Sequence, residues 1–402
     1  MKRILLVAVM SLSILCSNAQ QLSFTDSTVI SLITCSPGQE VYEKFGHTGI
    51  RIKDKKNGND LIFNYGIFSF ETENFYYKFI KGETDYQLGL YYTGNFLPAY
   101  AERNSVVWEQ VLNLTVDERR KLIKLLLENY EPENRTYRYN FVFDNCATRP
   151  RDKILSALNG YVKLESNNEP KTFRQWIGIY VGTDTWLKFG IDLVFGIDAD
   201  SFASPSQSMF LPEALMTEFQ QAQIYLSNGQ TKKLVSDKNI LVNKNAVSGT
   251  TSGWSIKPLT VSLILLIIGT LITIWDLFRR RHYKLFDSFL YIVTGLGGLI
   301  AAYLMFFSTH PLVKMNLNLL WLNPLNLVVG ILMWNRKLRI PLFFYQFLNI
   351  MFLVGALIAF ALSVQIFNIA VFPIIVLMLM RSTSWVAYLK RRIYKHKSGL
   401  KG

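Results

Sequence analysis

Pro258-Leu-Thr-Val-Ser-Leu-Ile-Leu-Leu-Ile-Ile-Gly-Thr-Leu-Ile-Thr-Ile-Trp-Asp-Leu-Phe-Arg-Arg-Arg281 is an apolar run closed by three arginines. About 20 apolar residues cross a bilayer as a helix, so residues 259–275 predict a membrane span. Four more apolar stretches follow, at 288–307, 317–334, 342–363 and 366–386. The third is interrupted by Asn323, Pro324 and Asn326. The fifth contains Pro373 and reaches full length only by running past Arg381. The loops between them alternate in charge. Arg279, Arg280, Arg281 and Lys284 crowd the first, Lys314 stands alone in the second, and Arg336, Lys337 and Arg339 fill the third. The fourth has none, and the tail after the last span carries six basic residues. Basic loops face the cytoplasm, so the pattern predicts five spans with the preceding domain outside and the C-terminus inside.

The net charge of +14 belongs to this architecture. Residues 258–402 carry +13, residues 1–19 carry +2, and the middle of the chain is at −1. A basic average usually suggests nucleic acid. Here the excess sits on hydrophobic ends and argues against a nucleic-acid partner and for a membrane. Lys2 and Arg3 followed by the apolar Ile4–Leu15 and by Ser17-Asn18-Ala19 read as a secretory signal cleaved after Ala19. A lipoprotein signal using Cys16 is the alternative.

Between these ends, residues 20–230 are long enough for a well-packed domain, and the polar stretch 231–257 suits a connector. Val29–Thr34 reads as a buried strand. His47–Ile52 alternates and returns at Leu61–Tyr65 after the turn signal Asn57-Gly58, which predicts a hairpin. Phe70–Lys81 predicts a helix, and Tyr86–Tyr92 and Ser105–Leu114 predict strands. Thr115 to Glu118 has capping-box spacing for a helix to about Tyr130. Arg138–Phe143 predicts a strand before Asp144-Asn145-Cys146 and a further helix to Leu158. Residues 160–230 read as loops and short helices. The fold class is α+β, followed by an α-helical membrane domain.

The chemistry open to residues 20–257 is narrow, because they hold one histidine, His47, and two cysteines, Cys35 and Cys146. A metal site of several His or Cys ligands is disfavoured, and no cofactor motif is present. A Cys–His pair remains. Cys146, after the capping residues Asp144 and Asn145, is the better nucleophile. A place in the first helical turn lowers a thiol pKa, and Arg149 and Arg151 add positive potential. Pro150 sets a competing helix start at Thr148. His47 is the candidate base, with Asn64 or Tyr65 on the returning strand to orient it. Arg51, Arg149 and Asp152 also suit ordinary ion pairs. Cys35 and Cys146 also suit a disulfide in an oxidising compartment.

Several motifs resemble the Lnb family of lipoprotein N-acyltransferases. They are Cys35-Ser-Pro-Gly-Gln39, Phe45-Gly-His-Thr-Gly-Ile-Arg51, Phe63-Asn-Tyr-Gly-Ile-Phe68, Asp144-Asn-Cys-Ala-Thr-Arg149 and Phe210-Leu-Pro-Glu213. In the membrane half, Thr309-His-Pro311, Asn316, Asn318 and Asn323-Pro324 add to them. The order of His before Cys also resembles circularly permuted NlpC/P60 folds, a papain-like superfamily. The resemblance implies that Cys146 takes an acyl chain from a phospholipid as a thioester. The α-amine of a diacylglyceryl-cysteine lipoprotein then accepts the chain, with His47 as base and then acid. It also implies inner-membrane residence, with Asn145, Arg149, Arg51 and Cys35 as supporting residues. His310 and Asn323 become lipid-headgroup contacts, although helix capping and loop packing explain them equally. A cell-wall thiol peptidase or amidase, a phospholipase, and a non-catalytic membrane-anchored assembly factor are the competing readings.

Overall fold

The computed structural model describes residues 23–164, 169–244 and 256–398. The expected signal segment 1–19 and the later part of the expected connector lie outside the described residues. Two domains follow one another, a sheet domain and a helical membrane domain.

The strands are β1 Val29–Cys35, β2 His47–Asp54, β3 Asn59–Ile67, β4 Asp85–Tyr92, β5 Val107–Leu112, β6 Thr136–Arg138, β7 Tyr161–Lys163, β8 Gln223–Tyr225, β9 Thr231–Lys233 and β10 Val235–Val242. The sheet-domain helices are α1 Phe75–Lys81, α2 Thr93–Glu102, α3 Val116–Tyr130, α4 Thr148–Ala157, α5 Phe173–Val181, α6 Trp186–Val194, α7 Pro205–Ser208 and α8 Pro212–Gln221. Seven strands form an antiparallel sheet in the order β10-β5-β1-β2-β3-β4-β6, and β7-β8-β9 form a small second sheet.

The central strands are buried on both faces, which is why β1 reads as a continuous apolar run. Ile30, Leu32, Ile50, Ile52, Phe63 and Tyr65 face the larger core, with Leu122 and Leu126 of α3 and Ile154 of α4. Ile33, Cys35 and Ile62 face the other way, against Phe96 and Tyr100 of α2. Helix α2 had no counterpart in the sequence reading, because Gly94 and Pro98 obscure its period.

Thr115 and Glu118 form the expected capping box. Glu118 also accepts the backbone N–H of Asn159 at 2.9 Å and Lys232 at 2.9 Å, tying three elements together.

Two expectations need correction. The connector 231–257 does not start at 231. Residues 231–242 are strands, and β10 extends the main sheet by pairing with β5. Their alternation is hidden because β10 is an exposed edge strand, rich in polar side chains. The strand expected at 138–143 is shorter and earlier. Asn140 accepts the backbone N–H groups of Val142 and Phe143, which turns the chain toward Cys146.

In the membrane domain, α9 Pro258–Arg279, α10 Lys284–Phe307, α12 Arg339–Ala361 and α13 Val371–Ser398 correspond to four of the expected spans. Among the described residues these four are long and apolar enough to cross a bilayer. The third stretch, 317–334, is not one continuous helix. A 3-10 turn at Leu317–Leu320 and α11 Leu325–Leu332 are separated by Trp321–Pro324. Irregular backbone at membrane depth persists only where protein covers it. Asn318 accepts the Trp321 indole N–H at 2.9 Å, and Asn326 accepts the Tyr345 hydroxyl at 2.6 Å while its amide reaches Thr294. Gly298 and Gly330 let the segment lie against α10, since a β-carbon on either would collide with Leu322 or with Ile292.

The end of this bundle away from the sheet domain holds a buried charge cluster. Arg381 donates to Asp276 at 2.9 Å and to Asp287 at 2.6 and 2.9 Å, and His282 and Trp385 also bond Asp287. Replacing Arg381 with Ala leaves two buried carboxylates without their shared partner. The Arg381→Ala protein should lose about 3–5 kcal/mol of stability, read as a lowered thermal midpoint in detergent.

Candidate active site

The site is built where β2, β3 and the segment before α4 converge. Gly46 has φ +77°, and a β-carbon there would sit 2.6 Å from the backbone oxygen of Cys35. Only glycine therefore fits the turn that leads into His47. In the β1–β2 register His47 faces Cys35. His47 Nε2 is hydrogen-bonded to Oδ1 of Asn64 on β3. The amide oxygen accepts, so the ring proton lies on Nε2 and Nδ1 is the free base.

Cys146 lies just before α4, which begins at Thr148 as Pro150 at a first-turn position requires. The expected lowering of its thiol pKa by the helix therefore does not prevail. Burial pushes the thiol up to about 11, while the backbone N–H groups of Thr48 and of Cys146 itself pull it down. The sulfur thus sits beside the amide that immediately follows His47. The place where a β-carbon on Gly66 would stand is 3.4 Å from Cys146 Cβ, 3.8 Å from His47 Cε1 and 4.0 Å from the Tyr137 hydroxyl. Gly66 has φ +97° and keeps this volume clear. Cys146, His47 and Tyr137 therefore surround one small space.

Burial holds His47 below its ordinary 6.5, with the Asn64 bond opposing and Arg103 adding to the effect. The unfolded chain therefore binds this proton more readily than the folded one. The stability tied to neutral His47 is intact above pH 6.5 and is lost progressively as pH falls below it. With the thiol raised and the imidazole lowered, both groups are neutral at pH 7.

The other expected site residues divide. Asn64 is at His47. Tyr65 instead donates its hydroxyl to Asn129 on α3 at 2.8 Å. Arg51 is locked by Asp60 and Glu109. Asn145 accepts the N–H groups of Ala147 and Thr148 and donates to the carbonyls of Phe141 and Phe210, so it shapes the turn that carries Cys146. Phe210 of the Phe210–Glu213 motif enters the site in this way. Arg149 pairs with Asp144 at 2.5 Å and stacks 3.7 Å over the Tyr137 ring. Cys35 is a free, buried thiol hydrogen-bonded with Tyr100, its pKa raised by burial, and Cys146 is free as well. The disulfide alternative therefore does not describe this structure. His310 bonds the Phe79 carbonyl at 2.6 Å, and Asn323 accepts the N–H of Leu325 at 3.0 Å, both packing roles. Thr48, Gly66 and Tyr137 were not anticipated. A glycine two residues after Asn64 was the available signal for the second. Among the described residues no cluster of three metal-ligating side chains occurs.

The sheet domain is clamped to the membrane domain. Asp192 on α6 is 3% exposed and accepts Arg174, Lys188 and Asn368, while Asn318 donates to the Asp192 carbonyl at 2.9 Å. Gln365 reaches the Phe195 carbonyl, and the Ile366 N–H reaches Asp200.

Two family models match this two-domain chain, the Lnb N-terminal periplasmic domain over residues 18–178 and the Lnb transmembrane domain over residues 250–392. The chain belongs to the Lnb family. No curated protein and no solved structure matches it. The Lnb assignment makes the sheet domain periplasmic, anchors it in a membrane, and points to a membrane enzyme that modifies lipoproteins. The first of its two domains carries both Cys146 and His47.

The pH dependence of thiol chemistry follows from the site. Alkylation of Cys146 by iodoacetamide should rise about tenfold per pH unit until pH approaches about 11, while Cys35 stays unmodified in the folded protein. Intact-mass analysis after timed quenching reads both.

Proposed function

We propose that this Lnb protein is an inner-membrane N-acyltransferase that moves an acyl chain from a phospholipid to the α-amine of a diacylglyceryl-cysteine lipoprotein. The supporting observation is the shared space around Gly66, with the Cys146 sulfur at the Thr48 N–H and an unprotonated nitrogen on His47.

Because thiol and imidazole are both neutral, proton transfer accompanies attack. Nδ1 of His47 takes the thiol proton as sulfur bonds to the ester carbonyl carbon. The oxyanion is held by the Thr48 and Cys146 N–H groups. The Tyr137 hydroxyl is a third donor. It is buried and has no hydrogen-bond partner among the described residues. Collapse breaks the ester C–O bond, and the lysophospholipid oxygen leaves with the His47 proton. In the second half the lipoprotein amine attacks the thioester carbonyl and His47 takes its proton. The C–S bond breaks and the thiolate recovers that proton. Asn64 positions the ring in both halves. Both substrates are lipids of the outer leaflet, which accounts for a catalytic domain clamped to membrane helices. The alternating basic loops support a cytoplasmic C-terminus.

Cys146→Ala should leave lipoproteins diacylated while the protein still folds and inserts, read by mass spectrometry of lipoprotein N-termini. Normal triacylation in that variant would overturn the proposal. Tyr137→Phe removes an unpartnered hydroxyl. It should therefore lower kcat by about a hundredfold with no drop in the thermal midpoint.

A further inference from the structure

Residues 68–80 carry a dense set of rings on one edge of the periplasmic domain. Phe70, Tyr76, Tyr77, Phe79 and Ile80 are all exposed there, and Tyr76 is 71% exposed. Isolated exposed apolar residues need no explanation, but a contiguous patch of this kind marks a contact surface.

The height of the patch above the membrane domain follows from three contacts. Thr309 donates its N–H to the Lys81 carbonyl at 2.8 Å, His310 bonds Phe79, and Tyr77 is hydrogen-bonded with Tyr303 of α10. Helix α10 has 24 residues and is therefore about 36 Å long, against a hydrocarbon core of about 30 Å. Tyr303 lies one turn from its end. Helix α1 accordingly sits at the depth where aromatic rings favour the membrane–water interface.

The rings also continue inward. Phe79 stacks on Phe75 at 6.0 Å, Phe75 on Phe68 at 5.7 Å, Phe68 on Tyr86 at 4.9 Å and Tyr86 on Tyr139 at 4.1 Å. Tyr86 and Tyr139 both lie within electrostatic reach of Cys146. Phe75 and Tyr86 in this series are buried, so its accessible side is carried by Phe70, 54% exposed, and the half-buried Phe68, which meet edge to face at 5.0 Å and lead to Gly66 beside Cys146.

We propose that residues 68–80 rest in the outer-leaflet lipid and that their rings form a track along which the acyl chain of a phospholipid reaches Cys146. The occupant is a lipid chain, because the patch is continuous with the lipid-facing end of α10, where Phe306 and Phe307 are exposed. The track rests on the acyltransferase reading, whereas the lipid contact stands independently of it.

The test uses the full-length protein in vesicles of dioleoyl phosphatidylethanolamine and phosphatidylglycerol. Tyr76→p-benzoylphenylalanine should photocrosslink to phospholipid and gain one lipid mass. The same substitution at Tyr161, 66% exposed on β7, should not. Equal crosslinking at the two positions would overturn the lipid contact. In a second arm the Tyr76→Asp/Ile80→Asp variant meets dioleoyl and soluble dihexanoyl phosphatidylcholine, and the Cys146 thioester is read by intact mass. The ratio of dioleoyl to dihexanoyl acylation rates should fall about tenfold, the loss of about two methylene groups of apolar contact. An unchanged ratio would overturn the track. No thioester from either lipid in the unsubstituted protein would instead overturn the acyltransferase reading and leave the crosslinking result to stand.

Discussion

Asp192 is a carboxylate with almost no access to water at the seam between the periplasmic sheet and the membrane helices. Such a charge persists only when paired and hydrogen-bonded. Here Arg174 and Lys188 come from its own domain, and Asn368 reaches in from the loop between α12 and α13. Arg174 and Lys188 already reach both carboxylate oxygens, and Asn368 and Asn318 extend the network across the seam to the membrane domain. The seam therefore sets the height and facing of the sheet over the bilayer. The placement of α1 at the interface, and of Cys146 within reach of lipid, depends on it. Arg174 also grips Asp200, which receives the Ile366 N–H, so the contact is a network that resists rotation about a single point.

The chemistry of the site is set by dryness more than by charge. Arg149, the nearest expected source of positive potential, is neutralised by Asp144 and spends its face on the Tyr137 ring. What remains beside the sulfur is a pair of backbone N–H groups. These cannot turn the thiol into a resting thiolate against burial, but they are in place for charge that appears only during reaction. A pair that is neutral at rest is also sheltered from the oxidation and alkylation that threaten a periplasmic thiolate.

Much of this was legible in the residues. The hairpin that carries His47 and Asn64 has alternation in its first strand, His47–Ile52, and a turn signal at Asn57-Gly58. The capping box at Thr115 is a local motif with one geometry. His47 stands out as the one histidine of residues 20–257, and Cys146 is preferred over Cys35 because it follows the capping residues Asp144 and Asn145. What escaped notice depended on tertiary contact. Tyr137 is one of 20 tyrosines, and nothing in its neighbours marks a hydroxyl that the fold leaves unpaired. The position of Thr48 matters through its backbone, to which composition is blind. Strand β10 looked like a linker because an edge strand needs no buried face. The break at Trp321–Pro324 was visible as two asparagines and a proline in an apolar stretch. How protein covers it, through Asn318, Asn326 and Tyr345, was not.

The charge cluster around Arg381 has a consequence for how the chain is built. Helix α13 carries an arginine inside its apolar length, and such a residue is poorly tolerated by lipid on its own. Its partners Asp276 and Asp287 lie on α9 and α10, roughly a hundred residues earlier, and a ribosome makes those first. The two acids therefore enter the membrane ahead of the cation and form a docking point that only α13 completes. A chain stalled or truncated before residue 381 keeps two stranded acids in its bundle.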